Sequence, residues 1–221
     1  MIRDIFKFKK ANAQKLKEYG FSATDGGYSL RTFILNGLFE MRVSVKDGEV
    51  GTMLTDCESG EEYRLHLIEG SNGEFVGKVK AEYEAVLSDI RDKCFDEEIF
   101  KNAQSKQVIQ YIENRYGDRL EFLWESSPST AVWRRTDNRK WYGAIFVLQR
   151  SKLGLSGGGE TEIIDLRADP TAIESLVDNV SYFRGYHMNK KSWITIMLDG
   201  SIPTQTVFDR IDESYLLALK K

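Results

Sequence analysis

The sequence predicts an α+β protein built as two small domains, and three observations carry that expectation. Turn pairs of the kind that close tight hairpins, Asn36-Gly37 and Asp47-Gly48, punctuate alternating apolar runs in the first half. Two amphipathic stripes, one over Tyr83, Val86, Leu87, Ile90 and Cys94 and one over Phe100, Val108, Ile109, Ile112 and Tyr116, recur at helical spacing; the first closes one set of strands and the second opens another. The length allows it, since 221 residues at 41% hydrophobic and with 3 prolines suffice for one large core or two small ones.

The elements follow in order. A short helix is expected around Asn12 to Tyr19. Strands are expected at "YSLRTFIL" and "LFEMRVSV" about Asn36-Gly37, then at "VGTMLTD" and "EYRLHLIE" about the turn-rich "CESGE". "EGSNGE" leads into the stripe that ends at Cys94. The N-terminal domain, residues 1–95, is therefore a β-meander with flanking helices.

In the second domain, residues 96–221, the helix through Tyr116 is terminated by Gly117. After a polar stretch, "TAVWRR" and "KWYGAIFVL" form a hairpin about Asp137-Asn138, and "SGGGE" connects to the strand "TEIIDLR". Asp169 followed by Pro170 reads as an N-cap with proline at the first helical position, opening a helix through about Asn179. "SYFRGYH" and "SWITIML" flank a turn at Asn189-Lys190, and Pro203 starts a last helix carrying Val207, Phe208, Ile211, Tyr215, Ala218 and Leu219. The order is α-β3-α-β2-α.

Composition narrows the chemistry. No apolar run approaches the roughly 18 to 20 residues that span a bilayer, and "MIRDIFKFKK" lacks the apolar core and cleavage site of a secretory leader, so no membrane association and a cytoplasmic location are expected. Cys57 and Cys94 are far apart and the histidines are only His66 and His187, so neither a disulfide framework nor a metal site is indicated. "DEE" at 96–98 is a common solvated helix start. The glycines at 157–159 precede a strand and lack the lysine-serine or lysine-threonine ending of a phosphate loop, so they read as a flexible connection and no cofactor is expected. His187 is the candidate general acid or base by residue type, and its nearest motif-like neighbours, Asp199 and Ser192, form no catalytic signature. The chain is not expected to be an enzyme.

What remains is a basic surplus in a chain of net charge -3. Between Trp133 and Lys152 stand Arg134, Arg135, Arg139, Lys140, Arg150 and Lys152 against the single acid Asp137. Between Ser181 and Leu198 stand Arg184, Lys190 and Lys191, with His187, against none. Two hairpins of one sheet can bring such segments together, where lysine and arginine attract phosphate and exposed aromatic rings stack on bases. Taken singly, Trp133, Trp141, Tyr186 and Trp193 sit at strand positions where aromatic residues usually fill a core.

Several motifs then fall into register. "DNRKWYGAIF" (137–146), "RSKLGL" (150–155), "GYHMNKKSWITIMLDGSIP" (185–203) and "IDESYLLA" (211–218) resemble, in that order, the MmcQ/YjbR family, over roughly residues 96–221. The resemblance implies the compact fold of that family, similar to the CyaY and secretion-chaperone folds, and its customary label implies a DNA-binding protein. The family often has histidine before the tryptophan of the "HMNK" run, where this chain has Ser192. The expected function is thus non-enzymatic nucleic-acid binding, to DNA or RNA, by the ten basic residues named above; the alternative is a protein-interaction or chaperone-like module receiving a peptide or acidic partner on its sheet face. The pI of about 5.6 favours the alternative, because dedicated nucleic-acid domains commonly carry a large positive charge.

Overall fold

Strand β4 (Phe39–Lys46) turns Phe39, Met41, Val43 and Val45 inward and Glu40, Arg42, Ser44 and Lys46 outward, the two-residue alternation of a sheet with one face against a core. A computed structural model of the chain, which describes residues 2–68, 70–71 and 73–219, places this strand at the centre of the first of two compact units, residues 1–98 and 99–221.

In the first unit α1 (Ile2–Ile5) and β1 (Lys9–Ala11) precede α2 (Ala13–Tyr19). The Asn12 side chain caps α2 by accepting from the N–H groups of Gln14 and Lys15, and Gly20 ends it at φ 116°, a left-handed conformation that favours glycine. Strands β2 (Ser22–Thr24), β3 (Gly27–Ile34), β4 and β5 (Glu49–Asp56) form an antiparallel meander in sequence order. Asp47 and Gly48 both take positive φ, as the hairpin turn requires. The Asn36-Gly37 connection is longer than two residues, with Leu35, Asn36 and Gly37 all at positive φ. Helix α3 (Glu74–Cys94) lays Val79, Tyr83, Leu87, Ile90 and Cys94 on the meander, and β6 (Phe95–Glu97) pairs with β1.

One expected strand does not form. Over "EYRLHLIE" the chain makes only an isolated bridge, Thr55 to Glu62, and a 3-10 turn at Leu65–Leu67; the fourth strand of the meander is β2 instead. The Asp56 carboxylate accepts from the N–H groups of Glu58 and Ser59 and starts a turn. His66 is then buried between the rings of Tyr63 and Tyr83, which pulls the segment off the sheet edge. Glu69 and Asn72, within the expected strand and turn, lie outside the described residues.

The second unit runs α4 (Ala103–Tyr116), β7 (Thr130–Arg134), β8 (Trp141–Gln149), β9 (Glu160–Arg167), α5 (Ile173–Leu176), β10 (Tyr182–Arg184), β11 (Trp193–Met197) and α6 (Thr204–Leu217), the expected mixed α+β order. Its antiparallel sheet has the order β10-β11-β9-β8-β7. Helices α4 and α6 cover one face, over Val108, Ile112, Trp133, Ile145, Ile164 and Ile194. The other face carries Val132, Ala144, Phe146, Leu148, Ile163 and Met197; the apolar residues packed on it come from loops, Leu153 and Leu155 on one side and Tyr186 and Met188 on the other. A bulge sits where Trp133 faces Gly143 and Arg134 faces Trp141, leaving Tyr142 as the extra residue. Gly143 eases the packing there, since a Cβ would sit 3.0 Å from the Trp133 ring, closer than nearly all such contacts.

The helix expected from Asp169 through Asn179 is a single turn. Asp169 does accept from the Thr171 N–H, but Val177 turns extended, and the Asp178 carboxylate accepts from the N–H groups of Val180, Ser181 and Tyr182. That second capping turn delivers the chain into β10, where Tyr182 must face Ile196. Among the described residues no helix is long and apolar enough to cross a membrane.

Candidate nucleic-acid interface

Strands β8 and β11 are both antiparallel to β9 and hence parallel to each other. The turns that precede them, 135–140 and 185–192, therefore project from the same end of the sheet, roughly 10 Å apart with β9 between. Arg139, Lys140, Lys190 and Lys191 share this end. Arg150 and Lys152 follow β8 and lie at the opposite end, about 30 Å away by the rise of a nine-residue strand. The ten candidate residues thus fall into two groups, and the basic run from Trp133 to Lys152 is not one patch.

Carboxylates from elsewhere in the chain reduce the surplus further. Glu121, held at the β7 edge by reciprocal backbone hydrogen bonds with Val132, meets Arg134 at 3.0 Å and Arg139 at 3.2 Å. Arg135 is 6% exposed: its guanidinium donates twice to Asp137 at 2.9 and 2.6 Å and once to the Tyr215 carbonyl at 3.0 Å, and it stacks 3.8 Å from the Tyr215 ring centroid. Arg184 pairs with Glu174 at 2.6 Å. Lys140 is half-buried, its backbone N–H held by the Asn138 side chain. Among the described residues Lys152, Lys190 and Lys191 are exposed with no carboxylate partner.

The loop carrying Lys190 and Lys191 is fixed from below. Asp165, fully buried on β9, accepts from the Thr195 hydroxyl and from the backbone N–H groups of Tyr186 at 3.1 Å and His187 at 3.4 Å. Burial pushes its carboxyl up to about 6, against the opposing pull of those hydrogen bonds. Asp165 bonds the backbone of His187 through its N–H, so the pair is a brace for the loop. Ser192 and Asp199 stand at opposite ends of β11, and each helps to close a local turn.

Beside this brace, on the sheet face away from the helices, lies a cleft of about 270 Å³. Trp124, Trp141, Phe146 and Met188 form its apolar walls, and Ser127, Thr130 and His187 its polar part. The two indoles meet edge to face at 5.8 Å and 85°, and the Arg134 guanidinium lies 5.5 Å from the Trp141 ring. Of the four aromatic residues expected in a core, Trp133 and Trp193 are buried there, whereas Trp141 and Tyr186 are partly exposed on this open face. Trp124, Glu121 and Asp165 belong to none of the basic or aromatic runs singled out in the sequence. The apolar triplet Phe122-Leu123-Trp124, all three at least 39% exposed, was a readable signal for the first.

The family model described as YjbR matches residues 115–217. The "Uncharacterized protein YyaQ" of Bacillus subtilis (strain 168) is 34% identical over 112 residues, 51% of this chain and 95% of that protein. A crystal structure of a protein from Pseudomonas syringae is 33% identical with a TM-score of 0.50, covering 51% of this chain and 97% of that one. A solution structure from the same organism is 32% identical with a TM-score of 0.48, over 52% of this chain and 91% of that one.

Proposed function

The chain belongs, through its C-terminal unit, to the YjbR family, and from that premise we propose that it is a non-enzymatic, cytoplasmic nucleic-acid-binding protein that engages phosphate at the 135–140 and 185–192 end of its second sheet. The observation that carries this reading is the parallel placement of β8 and β11, which brings two basic turns to one end beside exposed indoles. The CyaY-like arrangement that the family resemblance implies is compatible with it, since the basic end adjoins a sheet face left without a helix. The footprint is small. With Arg134, Arg135 and Arg184 already paired, Lys190, Lys191 and the partly engaged Arg139 are the phosphate contacts, so log affinity should fall with log salt at a slope of about -2 to -3.

Titration of a labelled oligonucleotide across salt concentrations, for the parent and for a Lys190→Glu, Lys191→Glu variant, tests this. The expected result is weaker binding and a slope flattened by about 2, with circular dichroism unchanged because both side chains are exposed. Unchanged affinity in the folded variant, or no binding by the parent at about 50 mM salt, overturns the reading. Salt-insensitive capture of a peptide on the same face would favour the protein-interaction alternative, for which the apolar cleft is the supporting observation.

A further inference from the structure

We propose that the Trp124–Trp141 cleft is a stacking pocket for one unpaired nucleobase, so that the C-terminal unit reads single strands in preference to duplex; the inference rests on the nucleic-acid reading above.

Size is the first argument. At about 270 Å³ the cleft lies just under the roughly 300–1,000 Å³ of sites that enclose drug-sized ligands, which suits one ring system and not a folded segment. The lining is the second. Two tryptophans and a phenylalanine offer ring faces, and the edge-to-face indole pair leaves Trp124, at 39% exposed, open to a planar ligand. Ser127, Thr130 and His187 add hydrogen-bonding groups that match the edge of a heterocycle and that an aliphatic ligand would leave unused.

Charge is the third. The loop that supplies His187 and Met188 to the cleft continues within three residues into Lys190 and Lys191, and the other basic turn approaches from the Trp141 side, where Arg134 covers the indole. A ring in the cleft with phosphates on either side matches this sequence of aromatic and basic groups. In a duplex the ring is unavailable, because its faces are already stacked and its edge is paired; only a splayed or unpaired nucleotide presents all of it.

The experiment compares three labelled strands of equal length with the full chain: oligothymidine, the same backbone made abasic, and a duplex. Phosphate charge is common to the first two, so their difference isolates the base. Oligothymidine is expected to bind more tightly than the abasic strand by about five- to a hundredfold, the span of one stacked base, and more tightly than the duplex. Trp124→Ala should bring oligothymidine down to the abasic level and leave the abasic affinity and its salt slope unchanged. Equal binding of thymidine and abasic strands by the parent protein, or preference for duplex, overturns the pocket while leaving the basic end intact. If no strand binds at about 50 mM salt, the underlying nucleic-acid reading fails and the pocket with it. The parent-protein comparison stands even if Trp124→Ala is poorly folded.

Discussion

A guanidinium that is 6% exposed must be satisfied inside the fold, and Arg135 is: two hydrogen bonds to Asp137, one to the Tyr215 carbonyl, and a stacked phenol beneath. It ties the β7–β8 turn to α6, so it acts as structure and not as part of a phosphate surface. Arg135→Ala is expected to cost about 2–3 kcal/mol in urea unfolding, because the Tyr215 carbonyl and Asp137 lose their donor together, while the salt slope of oligonucleotide binding by the folded protein stays as in the parent. Asp165 is the converse case, a carboxyl whose burial raises it to about 6 despite three donors. Folded protein therefore holds its proton more tightly than unfolded chain does. The stability this contributes is complete only below the ordinary aspartate value of 3.8 and is lost as pH rises through about 6. Between about pH 3 and pH 7 the parent should lose on the order of 3 kcal/mol relative to Asp165→Asn, which does not titrate. Urea midpoints of both proteins at the two pH values check this. Parallel pH profiles would mean that the buried carboxyl titrates as an ordinary one.

At the scale of the element, the long periodic segments were legible and the short capped ones were not. The stripe from Tyr83 to Cys94 and the alternation in β4 declare themselves because many residues repeat one spacing, and burial of a whole face enforces it. Single side chains decide the rest: Asp178 ends α5 after one turn, and His66 withdraws "EYRLHLIE" from the meander. Pattern counting cannot weigh a local cap against a continuing helix, because the outcome depends on Tyr182 meeting Ile196, a contact fixed only when the sheet is assembled. The candidate site was partly legible for the same reason. Hairpin turns gave Arg139, Lys140, Lys190 and Lys191, whereas Glu121 neutralises Arg134 and Arg139 from a segment that pairs with β7 only through one bridge. Asp178→Ala should free three backbone N–H groups and cost about 1 kcal/mol, with hydrogen exchange accelerated at Val180 to Tyr182 ahead of β9. The Asp178 carboxyl is held below its ordinary value by those N–H groups, that of Tyr182 first. Its contribution is thus present above the unfolded value and is lost in acid as pH falls through the folded one.

At the scale of the whole molecule, the charge that looked unfavourable for a nucleic-acid protein is unevenly distributed. Residues 1–98 carry 14 lysines and arginines against 19 acids, net -5, and residues 99–221 carry 17 against 15, net +2. The acidic pI therefore belongs to the first unit, and the family match to the second. Each unit has its own apolar core, one built on Met41, Tyr83 and Leu87 and the other on Trp133, Ile145 and Ile194. A known protein from Pseudomonas syringae is covered over 97% of its length by about half of this chain. A fragment of residues 99–221 is accordingly expected to fold alone, with a cooperative thermal transition and no loss of far-ultraviolet signal per residue. Because a net charge of -5 repels a polyanion over a Debye length of about 10 Å at 0.1 M salt, the fragment should bind oligothymidine at least as tightly as the full chain, the advantage growing as salt is lowered. A fragment that unfolds would mean that the two units share stabilising contacts. A folded fragment that has lost binding would move part of the interface into the first unit, and the basic end of the second sheet would no longer account for recognition.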